Sequence, residues 1–212
     1  MPRFNRSDLV GFRTVRLLNS ADLNPFGGPI DRPAPPPKEF FKPLNDDAFK
    51  LYSTQFSYSR RDLKAKVIYV DDTHDDWIKE KISIDVGYSN ERMDVLIFKP
   101  KNTYNNVGSV VLYPGLNYFR NPPDLDDIDP GEYGLDFIIK SGRALVWVAF
   151  KGSLNRIVDS SIAQPSTQDN LRQFRQMMID WRVDSGRVLD YLEDRQDFAN
   201  DKFHYMGMSY GA

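Results

Sequence analysis

The sequence predicts an α/β protein built on a parallel sheet with helices on its faces, and three observations predict it. Residues 110–113 and 144–150 are continuously apolar runs, the pattern of strands covered on both sides. A long stripe of apolar residues at three- and four-residue steps follows them, from Leu171 to Leu192. Two segments with period-two character, 82–86 and 93–98, precede them. The resulting order is a hairpin and then β-α-β-α-β, which implies a parallel sheet entered through an antiparallel pair.

Each element has its own reason. In the hairpin, Ile82, Ile84 and Val86 alternate with Ser83 and Asp85. Gly87-Tyr88-Ser89-Asn90 supplies the turn, and the second strand stops at Pro100. Upstream, Asn45 is a helix cap with Asp46 and Asp47 in the first turn, and Phe49, Tyr52 and Phe56 recur at helical spacing. Residues 66–70 read as a further strand. Between the two apolar runs, Leu135, Ile138 and Ile139 predict a helix ended by Ser141-Gly142. The long stripe (Leu171, Phe174, Met178, Trp181, Val188 and Leu192, with serine at 185) predicts a helix over 168–195, its apolar face packed in the core. Phe203-His204-Tyr205-Met206 is the last strand, and His204 is expected to be a packed core histidine.

The N-terminal part reads differently. Seven of the fourteen prolines fall within 25–43. Proline fixes φ and removes a donor, so this stretch is expected to be an extended interdomain linker, with a proline-motif ligand as the alternative. Before it, the apolar run at 9–18 looks like a strand with nothing beside it to pair with. The expected division is therefore 1–19 as the remnant of a preceding domain, 20–44 as the linker, and 45–212 as the α/β part.

Composition narrows the function. Twenty-eight basic and thirty acidic residues give a net charge of −2, leaving no electrostatic footprint for nucleic acid. The chain has no cysteine, which excludes disulfides, thiolate metal ligands and a cysteine nucleophile. With two histidines, a histidine-rich metal site is not expected. The acidic stretch 71–76, which includes an exposed His74, reads as a solvated turn rather than a metal site. No metal or other cofactor is expected. The start of the sequence has no apolar leader and no run of 18 apolar residues occurs anywhere, so a cytoplasmic setting is expected.

One motif carries chemistry. The last strand runs into Gly207-Met208-Ser209-Tyr210-Gly211, a G-x-S-x-G sequence. On a sharp turn after a strand, such a serine is held in a strained conformation with its hydroxyl exposed. The flanking glycines keep side chains out of the neighbouring elements. Alone the pattern is common, and a chance turn is the alternative reading. Its position after an apolar strand and two earlier parallel-type strands is the context the motif requires. Ser209 is then the candidate nucleophile. A second element ends the first parallel strand, Tyr113-Pro114-Gly115-Leu116-Asn117. In that scheme the N–H of Leu116, or of Asn117 as its substitute, joins that of Tyr210 in an oxyanion hole. A plain Pro-Gly turn is the other reading. The loop over 151–165 is expected to border a substrate, since ligands bind beyond the carboxyl ends of parallel strands.

Residues 79–212 resemble the α/β-hydrolase module of the dienelactone hydrolase and acetyl xylan esterase-like group. The resemblance lies in Val111-Leu112-Tyr113-Pro114-Gly115, Ser141-Gly142-Arg143-Ala144, Lys151-Gly152, Asp190-Tyr191-Leu192-Glu193 and the segment 207–212. Val10-Gly11-Phe12-Arg13-Thr14-Val15-Arg16 resembles the closing strand of a formylglycine-generating-enzyme-like domain. Such modules stand at the C-terminal end of multidomain bacterial proteins that often carry a serine/threonine kinase domain. The resemblance implies an α/β-hydrolase fold, incomplete here, and hydrolysis of a small-molecule ester through an acyl-serine. It also implies the other domains of a parent polypeptide as partners. Two departures stand out. Dienelactone hydrolases use cysteine where this chain has Ser209, and the triad acid and histidine, which should follow the serine, are not found. Neither His204 nor His74 suits the role of base. The chain is therefore expected to have negligible turnover by itself. A non-catalytic regulatory or binding module, and a peptidase of the prolyl oligopeptidase type, are the competing functions.

Overall fold

The computed structural model describes residues 42–103 and 106–211. The chain divides into two units, Met1–Asn45 and Asp46–Ala212, and the second carries the sheet. The expected strand at 9–18 and most of the proline-rich stretch lie outside the described residues.

The elements follow the expected order. Helix α1 (Asp46–Ser53) runs into a 3-10 turn, and strands β1 (Lys66–Asp71), β2 (Trp77–Asp85) and β3 (Arg92–Pro100) follow. Next come β4 (Val107–Tyr113), α2 (Asn117–Arg120), α3 (Asp136–Lys140) and β5 (Ala144–Val148). The last are α4 (Ser160–Ala163), α5 (Gln168–Asp194), β6 (Phe198–Gly207) and a 3-10 turn at Ser209–Gly211. The sheet order is β1-β2-β3-β5-β4-β6. The first three strands form an antiparallel meander, so the expected hairpin gains a third strand. β5 is antiparallel to β3 and parallel to β4, and β6 is parallel to β4.

Alternation sorts the side chains onto two faces. Met93, Val95, Ile97, Val111, Val146 and Val148 point to one face and pack with Met177, Trp181, Val188 and Leu192 of α5. Leu96, Phe98, Val110, Leu112, Leu145 and Trp147 point to the other and pack with Ile138 and Ile139 of α3. The crossover from β4 to β5 thus covers one face. The return from β5 to β6 covers the other and passes back over β4. β4 is therefore flanked by strands reached in opposite directions, the arrangement that opens a crevice at the carboxyl ends.

Local signals explain the boundaries. Thr167 caps α5 by accepting from the N–H of Asn170 at 3.2 Å. Gly142 ends α3 at φ +84°, a conformation glycine adopts without strain.

Three expectations need correction. His204 is exposed, not packed, because on β6, the outermost described strand on its side of the sheet, no described element lies over it. His74 is half-buried rather than exposed, its ring stacked on Trp77 with centroids 3.3 Å apart. Leu171, the first residue of the long stripe, is exposed, and the stripe joins the core only from Phe174 onward.

Candidate functional site

The G-x-S-x-G segment lies at the carboxyl end of β6. Gly207 pairs with Tyr113, so β4 and β6 finish side by side. The chain then turns within one residue. Ser209 is exposed and has φ +56°, the left-handed region that costs a non-glycine residue about 1–2 kcal/mol. The 3-10 turn closes with the N–H of Gly211 donating to Met208 O at 3.1 Å.

Both flanking glycines are required by space. A Cβ on Gly207 would lie 2.0 Å from Gly211 O, and one on Gly211 would lie 2.6 Å from Tyr113 O. A side chain at Gly207 would push the turn off the end of β6, and one at Gly211 would push it off β4. A Cβ on Gly115 would come within 3.5 Å of Met208 O, so the segment after β4 runs alongside the turn. Leu116 and Asn117 open α2 at this place. The first N–H groups of a helix have no intrahelical acceptor, which leaves theirs available to another group.

Tyr210 turns its side chain inward and fastens the turn. Its hydroxyl donates to Ala163 O at 2.8 Å, tying it to α4. Its ring lies 5.3 Å from Phe119, 5.8 Å from Phe174 and 6.4 Å from Trp181. Burial pushes its phenol pKa up. Tyr113 is held the same way, with its hydroxyl 2.5 Å from Ser185 Oγ and its ring stacked on Phe150 at 4.6 Å. The serine stands at the rim while aromatic packing immobilises Tyr210 next to it and Tyr113 at the end of β4.

The loop after β5 is fixed by charge. Asp184 of α5 is fully buried and accepts from Arg156 at 2.6 Å, from the Tyr88 hydroxyl at 2.8 Å and from the Lys151 N–H at 3.0 Å. Arg156 also donates to Ala149 O at 3.1 Å, to Tyr88 Oη at 2.7 Å and to Glu91 at 3.1 Å. Burial works against its charge, and the Asp184 carboxylate more than offsets this, so its pKa is raised. Glu91 also pairs with Lys151. Leu154 N–H donates to Tyr118 O at 3.1 Å, joining this loop to α2. Sequence reasoning missed this network. The signal was present, because Asp184 lies three residues after Trp181 and four before Val188, on the buried side of an amphipathic helix.

The structure thus brings Ser209, Tyr210, Leu116 and Asn117 to one end of the sheet. It places neither histidine with them. His204 pairs with Val110, three positions below the Gly207 pair, roughly 10 Å down the strand. His74 precedes β2, whose first residue Trp77 pairs with Pro100, at the amino end of β5 and so at the opposite end of the sheet. Among the described residues no group of three or more His, Cys, Asp or Glu could hold a metal ion. None of the helices among them is long and apolar enough to cross a membrane.

The described elements form an incomplete α/β-hydrolase fold. A candidate acetyl xylan esterase from Bacteroides fragilis NCTC 9343 superposes with a TM-score of 0.55 at 13% identity, over 76% of this chain and 46% of its own. Acetyl xylan esterase 1 from Thermoanaerobacterium sp. JW/SL YS485 superposes with a TM-score of 0.54 at 15% identity, over 80% of this chain and 52% of its own. The chain therefore spans about half the length of these structures. No protein-family profile and no curated protein sequence matches the chain.

Proposed function

We propose that this chain supplies the nucleophile-bearing part of a serine hydrolase acting on carboxylic esters. The observation that carries the reading is Ser209 at φ +56°, exposed at the tip of β6 between two glycines that have no room for a Cβ. That is the geometry a strained nucleophile turn demands. In this reading Ser209 Oγ attacks the ester carbonyl carbon and the carbonyl electron pair moves onto oxygen. The N–H groups of Tyr210 and Leu116, with Asn117 as the alternative to Leu116, receive that charge. Collapse expels the alcohol and leaves an acyl-serine, which water hydrolyses to the acid. The serine proton passes through a general base to the departing alkoxide, so that the alcohol leaves neutral, and neither His74 nor His204 is positioned to be that base. Two of the structural neighbours are described as an acetyl xylan esterase or a candidate one, which favours an ester of a carbohydrate as substrate. The proline-rich stretch and the segment before it favour a place among other domains of a larger polypeptide.

The test is labelling of the full-length protein with a fluorophosphonate, followed by peptide mapping. Label is expected on Ser209 and lost in Ser209→Ala. A folded protein that takes no label would overturn the reading and leave a binding or regulatory module. Turnover of aryl acetates but not of peptides is expected, and the reverse would make it a peptidase.

A further inference from the structure

We infer that the outer edge of β1 is a self-association surface at which a second copy of this chain adds its own β1 in antiparallel register. This does not depend on the proposed chemistry. β1 is the end strand of the sheet and pairs only with β2 among the described residues. Edge strands are ordinarily blunted by proline, by inward charges, by bulges or by shortness, because their unpaired N–H and C=O groups are a template for pairing. Here six residues run without proline, with one register break between Val67 and Tyr69, and Val67, Ile68 and Val70 are 60%, 52% and 58% exposed. Three large β-formers on this edge form an apolar strip that nothing among the described residues covers.

The sequence of the strip indicates what covers it. Lys66-Val67-Ile68-Tyr69-Val70-Asp71 is complementary to its own reversal. A two-fold axis between Ile68 and Tyr69 sets Lys66 opposite Asp71 of the second copy, Val67 opposite Val70, and Ile68 opposite Tyr69. Each contact then occurs twice, as an isologous interface requires.

The faces agree with this register. Val67 and Val70 lie beside Ile82 and Glu80, on the α5 face, while Lys66 and Asp71 lie beside Ser83 and Lys79, on the other. Valines would meet valines on one side and opposite charges would meet on the other. The register break between Val67 and Tyr69 falls at the centre of the six residues, and it is what puts the two valines on a common face three positions apart. Asp71 Oδ1 is taken by Thr73, through its N–H at 2.9 Å and its hydroxyl at 2.7 Å, which leaves Oδ2 for the incoming lysine. Lys66 makes no ion pair among the described residues. A parallel pairing would set Lys66 against Lys66, and like charges directly opposed are destabilising.

The experiment is sedimentation velocity on the intact chain over a concentration series, with circular dichroism as a control for folding. A reversible shift from one to two chain masses is expected. Lys66→Asp should weaken the dimer at least tenfold. The exchanged pair Lys66→Asp with Asp71→Lys should restore it to within a few-fold of the original. Val67→Lys with Val70→Lys should leave a monomer. Monomer at every concentration in the original chain would overturn the inference. So would a dimer indifferent to these changes, or a folded charge-exchanged variant that stays as weak as Lys66→Asp alone.

Discussion

The two faces of the sheet are built from different materials. On the α3 face an apolar cluster runs from Trp77 through Leu145 to Leu154, and among the described residues no buried side chain there carries a charge. On the α5 face an apolar cluster of similar extent is interrupted by buried Asp184, Arg187 and Asp190, all on one helix. Apolar burial is strong but has no direction. Hydrogen bonds to a buried charge are directional, so they can fix a loop as well as cover a surface. Arg187 does this for the chain entering β1, donating to Asp85 O at 2.8 Å, Arg61 O at 2.6 Å and Asp62 O at 2.7 Å. Asp184 does it for the loop after β5. The face that carries the long helix also holds in place the loop joined to α2.

The largest effect separates the faces by rescue rather than by size. Asp184→Ala leaves Arg156 buried without its carboxylate, and should cost about 3–5 kcal/mol in urea unfolding. Leu145→Ala on the other face falls in an overlapping range, about 2–5 kcal/mol, from lost transfer energy and a cavity. The distinction is in the second site. Asp184→Leu combined with Arg156→Met removes both charges and should recover most of the stability, because well-packed apolar replacements of a buried pair are often neutral. If the double variant is as unstable as the two single losses added together, the polar face is not working as a coupled unit and the comparison fails.

The same contrast explains what could be read from the sequence. The sheet was legible because runs such as 144–150 have no other economical interpretation, and β5 is buried along its whole length. The serine turn was legible because a strand, a glycine and a serine in that order have a steric meaning. The burial of Asp184 was legible from its place on the helix stripe, but its partner was not, since Arg156 lies 28 positions away and only the tertiary fold brings the two together. His204 was misread for a related reason. A side chain in a strand is buried only where another element lies over its face, as for Phe198 and Ala199 on the same strand, and that cover is not a local property. The misplacement of His74 has a local cause, an aromatic three residues later on which its ring stacks, and that signal was available in the sequence.

A second charged group on the α5 face sharpens the comparison, because it is similar in chemistry but less buried. Arg195 donates to Asp197 at 2.8 and 2.5 Å and also pairs with Glu80, while Lys99 approaches Asp197 at 2.9 Å. Burial alone would raise the Asp197 carboxyl, but the hydrogen bonds from Arg195 and Lys99 outweigh it and hold the pKa at about 2. A folded pKa below the unfolded value of about 3.9 means that the group's contribution is complete above about pH 4 and is lost as pH falls toward 2. Asp197→Asn should therefore flatten the acid limb of stability between about pH 4 and 2. At neutral pH it should cost only about 1 kcal/mol, because solvent screens a partly exposed cluster. Urea unfolding at pH 7 and pH 3 checks both. A loss at pH 7 as large as that of Asp184→Ala would show that exposure does not grade these networks. At the far end of the scale, Arg172 pairs with Asp169 at 3.2 Å with both side chains more than three-quarters exposed. Arg172→Ala should leave the unfolding midpoint unmoved, since two long side chains in water gain little from meeting. A measurable loss there would mean that the first turns of α5, where Leu171 is exposed, are held by contacts beyond those seen among the described residues.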